Sequence, residues 1–146
     1  MSTPRRAPKR QTPRGDVQRQ QPRRRWRAYA TAAGRTPVEE FIDGLADADA
    51  ASVLAGMQEV RDVGLRAARH LDGDIWEVRV DGDRVIYRVL FAEEGARGRI
   101  LLALEAFTKK TQKTPPSTIA VAKRRLADWR RRGDELRAQQ KAQTDR

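Results

Sequence analysis

The sequence contains no cysteine, which excludes disulfides and thiolate metal sites and suits a reducing compartment. It lacks any apolar run approaching the roughly 20 residues of a membrane span, so a membrane-embedded protein is not expected. The first 25 residues lack an apolar stretch of the kind a secretory signal carries. They hold Pro4, Pro8, Pro13 and Pro22 among basic and polar residues, with Val17 as the one aliphatic side chain larger than alanine. Such a segment cannot bury a core and is expected to be disordered when free. It reads either as a solubilising leader or as an arginine-rich arm that orders on RNA or the ribosome.

What remains is one domain. A length of 146 residues gives room for a single core with tails, because a domain takes roughly 100–150 residues. The net charge of +11 favours polyanionic partners, and it is concentrated at the ends. Residues 1–25 carry nine Lys/Arg against one acid, residues 26–107 ten against fifteen, and residues 108–146 twelve against four. A soluble, cytoplasmic protein is the resulting expectation.

The periodicity predicts an α+β fold with an N-terminal strand, a helical hairpin, a three-stranded antiparallel sheet and a C-terminal helix. Residues 26–132 form the expected domain, followed by a polar extension over 133–146. Trp26, Ala28 and Ala30 alternate with Arg27, Tyr29 and Thr31 in a first strand ending by Gly34. Thr36-Pro37-Val38-Glu39 reads as a capping box, with Val38, Phe41, Ile42 and Leu45 on the buried face of the helix. A second helix starts near Asp47, buries Ala50, Val53, Leu54, Met57 and Val60, and stops at Gly64. From Ile75 the period becomes two. One strand runs to Val80, a turn follows at Asp81-Gly82-Asp83, a second strand covers Arg84 to Phe91, and a third covers Arg99 to Phe107. Pro115 and Pro116 open the last helix, with Thr114 or Ser117 as cap and Gly133 as its end.

Alternation places Glu77 and Arg79 on one face of their strand, opposite Trp76, Val78 and Val80. Arg84 and Arg88 share a face with Ile86 and Leu90, and Glu105 shares one with Leu101, Ala103 and Phe107. If the charged faces coincide, Glu77, Arg79, Arg88 and Glu105 line one surface that opens towards Lys109, Lys110 and Lys113. Such a surface also reads as a solvated ladder of cross-strand ion pairs. Arg88 argues against mere solvation, because it lies within Val85-Ile86-Tyr87-Arg88-Val89-Leu90-Phe91. Tyr29, Trp76 and Trp129 read as packing residues rather than base-stacking platforms.

The runs Ile75-Trp76-Glu77-Val78-Arg79, Tyr87-Arg88-Val89-Leu90-Phe91 and Ala106-Phe107-Thr108-Lys109-Lys110-Thr111-Gln112-Lys113-Thr114-Pro115, with Leu71 before them, resemble the phage-derived HigB-like branch of the RelE/ParE superfamily. Thr36-Pro37-Val38 and Phe41 extend the likeness, which covers about residues 26–130. The resemblance implies a RelE-like toxin that cuts mRNA in the ribosomal decoding site, with a helix-turn-helix antitoxin as partner and no metal or cofactor. Cutting of this kind needs a base for the ribose 2′-hydroxyl, a cation for the charge growing on phosphorus and an acid for the leaving 5′-oxygen. By resemblance Arg79 and Arg88 match the family's sheet arginines, and Lys109 and Lys110 its basic residues at the end of the last strand. The candidate catalytic set is Arg79, Arg88, Lys110 and Glu77, the last as a base or a salt-bridge partner, and Lys109, Lys113 and Arg84 are the candidates for RNA binding. Thr114 to Ala120 stand where the family carries a histidine or tyrosine, which leaves the acid unassigned. His70, the one imidazole, is either an acid–base group or a surface residue. Two rival readings stand beside the toxin: a phage nucleic-acid-binding protein that does not cut, and a gyrase-directed ParE-type toxin. The run from Lys109 to Pro115 argues against the second.

Overall fold

A computed structural model describes residues 24–109 and 113–145. Of the basic segment 1–25 only Arg24 and Arg25 lie within the described residues, and Lys110 lies outside them. The elements are β1 (Arg25–Ala28), α1 (Pro37–Asp43), α2 (Asp47–Val63), β2 (Arg69–Asp72), β3 (Ile75–Asp81), β4 (Ile86–Glu94), β5 (Ile100–Lys109) and α3 (Pro116–Thr144). The α+β class is as expected, but the sheet is five-stranded and mixed rather than three-stranded and antiparallel, in the order β1-β5-β4-β3-β2.

Both additional members are edge strands. β1 joins parallel to β5, opposing Trp26 to Leu101, and the Trp26 indole donates to the Met57 carbonyl at 2.6 Å. β2 pairs antiparallel with β3, opposing His70 to Trp76. It carries Leu71 as its one aliphatic residue, so alternation alone could not reveal it.

The sheet buries both faces. On one, Val38, Ile42, Val53, Met57 and Val60 of α1 and α2 cover Val78, Val89, Phe91, Leu101 and Ala103. On the other, Ala122 and Leu126 of α3 join Tyr29 against Ile75, Leu90, Leu102 and Leu104. Each fully buried Leu, Ile, Val or Phe contributes about 1.5–3 kcal/mol, so these two layers carry the fold. Gly56 lets α2 approach β3 closely, because a Cβ there would lie 2.5 Å from Val80.

Several local expectations are corrected. Leu54 is 52% exposed, on the outer flank of the α2 stripe. The third strand bulges between its pairings with Leu90 and Phe91, so Leu104 and Glu105 turn towards the same face and Glu105 is separated from Leu101 and Ala103. β4 starts at Ile86, leaving Arg84 in the hairpin loop. Thr36 makes no side-chain cap, and Pro115 rather than Thr114 or Ser117 occupies the N-cap of α3. Gly133 does not end α3, which continues through it to Thr144. Glycine inside a helix costs about 1 kcal/mol, and flanking pairs offset part of it: Arg131 with Glu135, and Arg137 with Asp134.

Candidate functional site

Strand register sets three lateral rows on the face covered by α3. Glu77, Leu90 and Glu105 form the first, Arg79, Arg88 and Phe107 the second, and Asp81, Ile86 and Lys109 the third. The expected coincidence of Glu77, Arg79, Arg88 and Glu105 on one surface is therefore present. Glu77 and Arg88 are diagonal neighbours, a separation that long side chains span.

Their surroundings differ from an open charged surface. Glu77 is 0% and Arg88 1% exposed. Arg88 Nη1 donates to Glu77 Oε1 at 2.9 Å and to Thr114 Oγ1 at 2.9 Å, while the Thr114 hydroxyl donates to Glu77 Oε2. Thr114 is itself buried. In this arrangement neither Glu77 nor Arg88 reaches solvent, so neither can touch a phosphate or a ribose hydroxyl without a rearrangement. Burying an ion pair gives little net stability, because desolvation offsets the Coulomb attraction, yet removing one partner is costly.

The rows differ from the buried first layer outwards. Glu105 pairs with Arg125 of α3 at 3.3 Å, and Arg125 also donates to the Leu104 carbonyl at 2.7 Å, which ties the bulge to the helix. Arg79 keeps a side-chain exposure of 30%, with its Nε 4.0 Å from Asp81, whose carboxylate is 85% exposed. Lys109 is half-buried at the end of β5, opposite Ile86, and Lys113 is exposed beside Thr114. Arg84 is exposed in the hairpin loop with φ 63. Gly82 closes that loop by donating to the Val85 carbonyl at 2.9 Å. A Cβ at Gly82 would lie 2.5 Å from the Tyr87 ring, so the loop requires glycine there. Burial and the Asp49 carboxylate raise the Tyr87 hydroxyl above its ordinary pKa. The cationic residues Arg79, Arg84, Lys109 and Lys113 thus gather at one end of the sheet.

His70 belongs elsewhere. It pairs in register with Trp76 and stacks edge-on against it, on the face opposite Glu77, with Nε2 2.7 Å from the Gly73 carbonyl. The aromatic residues pack as expected: Tyr29 donates to Asp128 at 2.6 Å, and Arg27 lies over Trp129. Among the described residues no group of three or more His, Cys, Asp or Glu gathers to hold a metal ion. Among the same residues no helix is long and apolar enough to cross a membrane.

Sequence reasoning missed Thr114, which it used as a cap, and Asp81, which it placed in the turn. A signal for Thr114 was present. Pro116 holds the residue before it, Pro115, extended, so Pro115 takes the N-cap and Thr114 stands one position too early to cap.

The family model described as phage-derived protein Gp49-like matches residues 40–127. The chain is 33% identical over 109 residues to the probable endoribonuclease HigB1 of Mycobacterium tuberculosis, in strains CDC 1551 and H37Rv. That alignment covers 73% of this chain and 85% of the relative.

Proposed function

The chain belongs to the phage-derived Gp49-like family, and on that premise we propose that it is a toxin of a toxin–antitoxin pair, an endoribonuclease that cuts mRNA on the ribosome in the cytoplasm. A helix-turn-helix antitoxin is its proposed partner. The observation that carries the reading is the collection of Arg79, Arg84, Lys109 and Lys113 at one end of a rigid sheet, where β3, β4 and β5 end together. The endoribonuclease name of the mycobacterial relative supports it.

In the proposed reaction the ribose 2′-oxygen loses its proton and attacks the adjacent phosphorus, and the bond to the 5′-oxygen breaks as that oxygen gains a proton. The products are a 2′,3′-cyclic phosphate and a 5′-hydroxyl. The chain's own cations supply charge stabilisation: Arg79 offers a planar fork to the phosphate, Lys110 is the second candidate cation, and Arg84, Lys109 and Lys113 hold the flanking backbone. Glu77 and Arg88, closed off beneath this surface, act as positioning residues in the proposal. The reading calls for no cofactor.

The closure of Glu77 and Arg88 also favours a second reading, a nucleic-acid-binding protein that does not cut. Single-turnover incubation with ribosome-bound and with free mRNA, followed by mapping of new 5′-hydroxyl ends, separates the two. New ends on ribosome-bound mRNA are expected. Binding without new ends on either substrate assigns the chain to the second reading, and equal cutting of both removes the ribosome requirement.

A further inference from the structure

A guanidinium offers only donors and an ionised carboxylate only acceptors, so a group set between them must do both. The Thr114 hydroxyl does: it accepts from Arg88 Nη1 and donates to Glu77 Oε2. All three residues are buried. Thr114 comes from a different part of the chain than its partners, 37 residues after Glu77 and 26 after Arg88. It sits directly after the lysine-bearing connection between β5 and α3 and directly before Pro115, the N-cap.

The described residues that flank 110–112 in the connection are therefore both held. At its start, Lys109 is paired in register with Ile86. At its end, α3 opens without a side-chain cap, and its first hydrogen bonds run from Thr118 and Ile119 back to the Pro115 carbonyl at 3.1 and 3.3 Å. Proline has no N–H, so Pro115 and Pro116 cannot tie the chain to the sheet by donation. Among the described residues of the connection, 113–115, the Thr114 hydroxyl makes the side-chain bonds to the sheet.

We propose that Thr114 is a positioning residue which, through the buried Arg88–Glu77 pair, fixes Lys113 and the start of α3 in the geometry that presents that lysine to an RNA phosphate. The proposal rests on the RNA-cutting reading for its purpose but not for its physical test. The pair forms the anchor, the hydroxyl couples the start of α3 to it, and the exposed Lys113 beside Thr114 is the group whose placement depends on the coupling.

The test compares Thr114→Val, which keeps the shape and loses the hydroxyl, with Thr114→Ser, which keeps the hydroxyl and loses a methyl. Amide hydrogen exchange reports the coupling. In Thr114→Val the Thr118 and Ile119 amides should exchange about 10-fold faster or more, as expected when a buried hydrogen bond to a charged group is lost, with the Val89 and Leu102 amides unchanged. Thr114→Ser should stay near the parent. Single-turnover cleavage should show kcat lowered about 10-fold or more in Thr114→Val with a smaller change in KM, and recovery in Thr114→Ser.

Parent-like exchange at Thr118 and Ile119 in Thr114→Val overturns the proposal. So does equal acceleration at Val89 and Leu102, which marks a merely structural loss, or a Thr114→Ser protein as impaired as Thr114→Val. If Thr114→Val does not fold, Thr114→Ala, which admits water between the two charges, carries the same comparison. A parent that cuts no RNA refutes the cutting reading, while the exchange pattern still decides the coupling.

Discussion

The two faces of the sheet are built by the same alternation of side chains, yet one is apolar along its length and the other changes character halfway. Beneath α1 and α2 the strands present Val78, Val89, Phe91, Leu101 and Ala103. Beneath α3 they present Ile75, Ala92 and Leu102 towards one end, Arg79 and Arg88 towards the other, and Glu77, Leu90 and Glu105 in one row between them. A helix lies over both faces. The comparison teaches that a charged residue alternating with apolar ones does not by itself declare whether it meets water, because the answer depends on how far the covering helix and the segment leading into it extend.

The largest expected effect sharpens that contrast. Arg88→Ala should destabilise the fold by about 3–5 kcal/mol, because it strands a buried carboxylate, and Phe91→Ala on the other face should cost a similar amount through its cavity. The two differ in rescue. Joint replacement of Glu77 and Arg88 by Leu and Met should recover most of the lost stability in urea unfolding, since a buried pair contributes little net energy. It should not restore cleavage if the pair positions the site. A joint variant as unstable as Arg88→Ala would show that the pair itself supplies net stability. One that cuts RNA at the parent rate would remove the pair from the proposed function.

That distinction marks how far the sequence could be read. The helical stripes carrying Val38, Ile42, Val53, Met57 and Val60 were legible because each repeats locally at helical spacing. So was the sharing of a face by Glu77, Arg79 and Arg88, which needs only period two and a hairpin. The parallel pairing of β1 with β5 was not, since it joins Trp26 to Leu101 across 75 positions with no local trace. The bulge at Leu104 turned Glu105 relative to Leu101 and Ala103 without any glycine or proline to announce it. The burial of Glu77 and Arg88 had no local trace either, since Thr114, which bonds to both, lies 37 and 26 positions away outside the sheet. The end of α3 was misread because Gly133 stops a helix only when the backbone turns left-handed there, and it remains helical.

The next effect separates the buried part of the charged half from its exposed part. Arg79→Ala should leave stability within about 0.5 kcal/mol, as for most surface substitutions, but lower the single-turnover rate about 10²–10³-fold, equivalent to about 2.7–4 kcal/mol. Arg79→Lys should recover little, because an ammonium lacks the planar fork. Lys110→Ala should act partly through RNA affinity, read as a rise in KM. A parent rate in Arg79→Ala would take Arg79 out of the site, and a stability loss matching that of Arg88→Ala would erase the distinction between the two layers.

The smallest effect concerns the apolar half of the α3 face, where the Tyr29 hydroxyl reaches Asp128 beside the contacts of Arg132 with the Ala30 carbonyl and of Arg130 with Glu94. The Tyr29 hydroxyl, more than Arg131 and Arg132, holds Asp128 below the usual carboxylate range. Burial first, and then Asp128, pushes the Tyr29 hydroxyl above its ordinary value. The guanidiniums of Arg125 and Arg132 lie over the Tyr29 ring at 5.8 and 5.4 Å. A depressed carboxylate contributes stability above its unfolded pKa of about 3.9, which is lost as pH falls through the folded value. A raised tyrosine contributes below its unfolded pKa of about 10, and that contribution is lost as pH rises through its folded value. Between these limits Tyr29→Phe should cost about 1 kcal/mol, as for a typical hydrogen bond, with the ring packing retained. Urea midpoints measured from pH 3 to 10 should show parent and variant furthest apart near neutrality, converging as pH falls below about 4 and only beginning to converge at the alkaline limit. A constant gap across that range would assign the loss to packing, and the polar contact would then contribute nothing specific to holding α3 on the sheet.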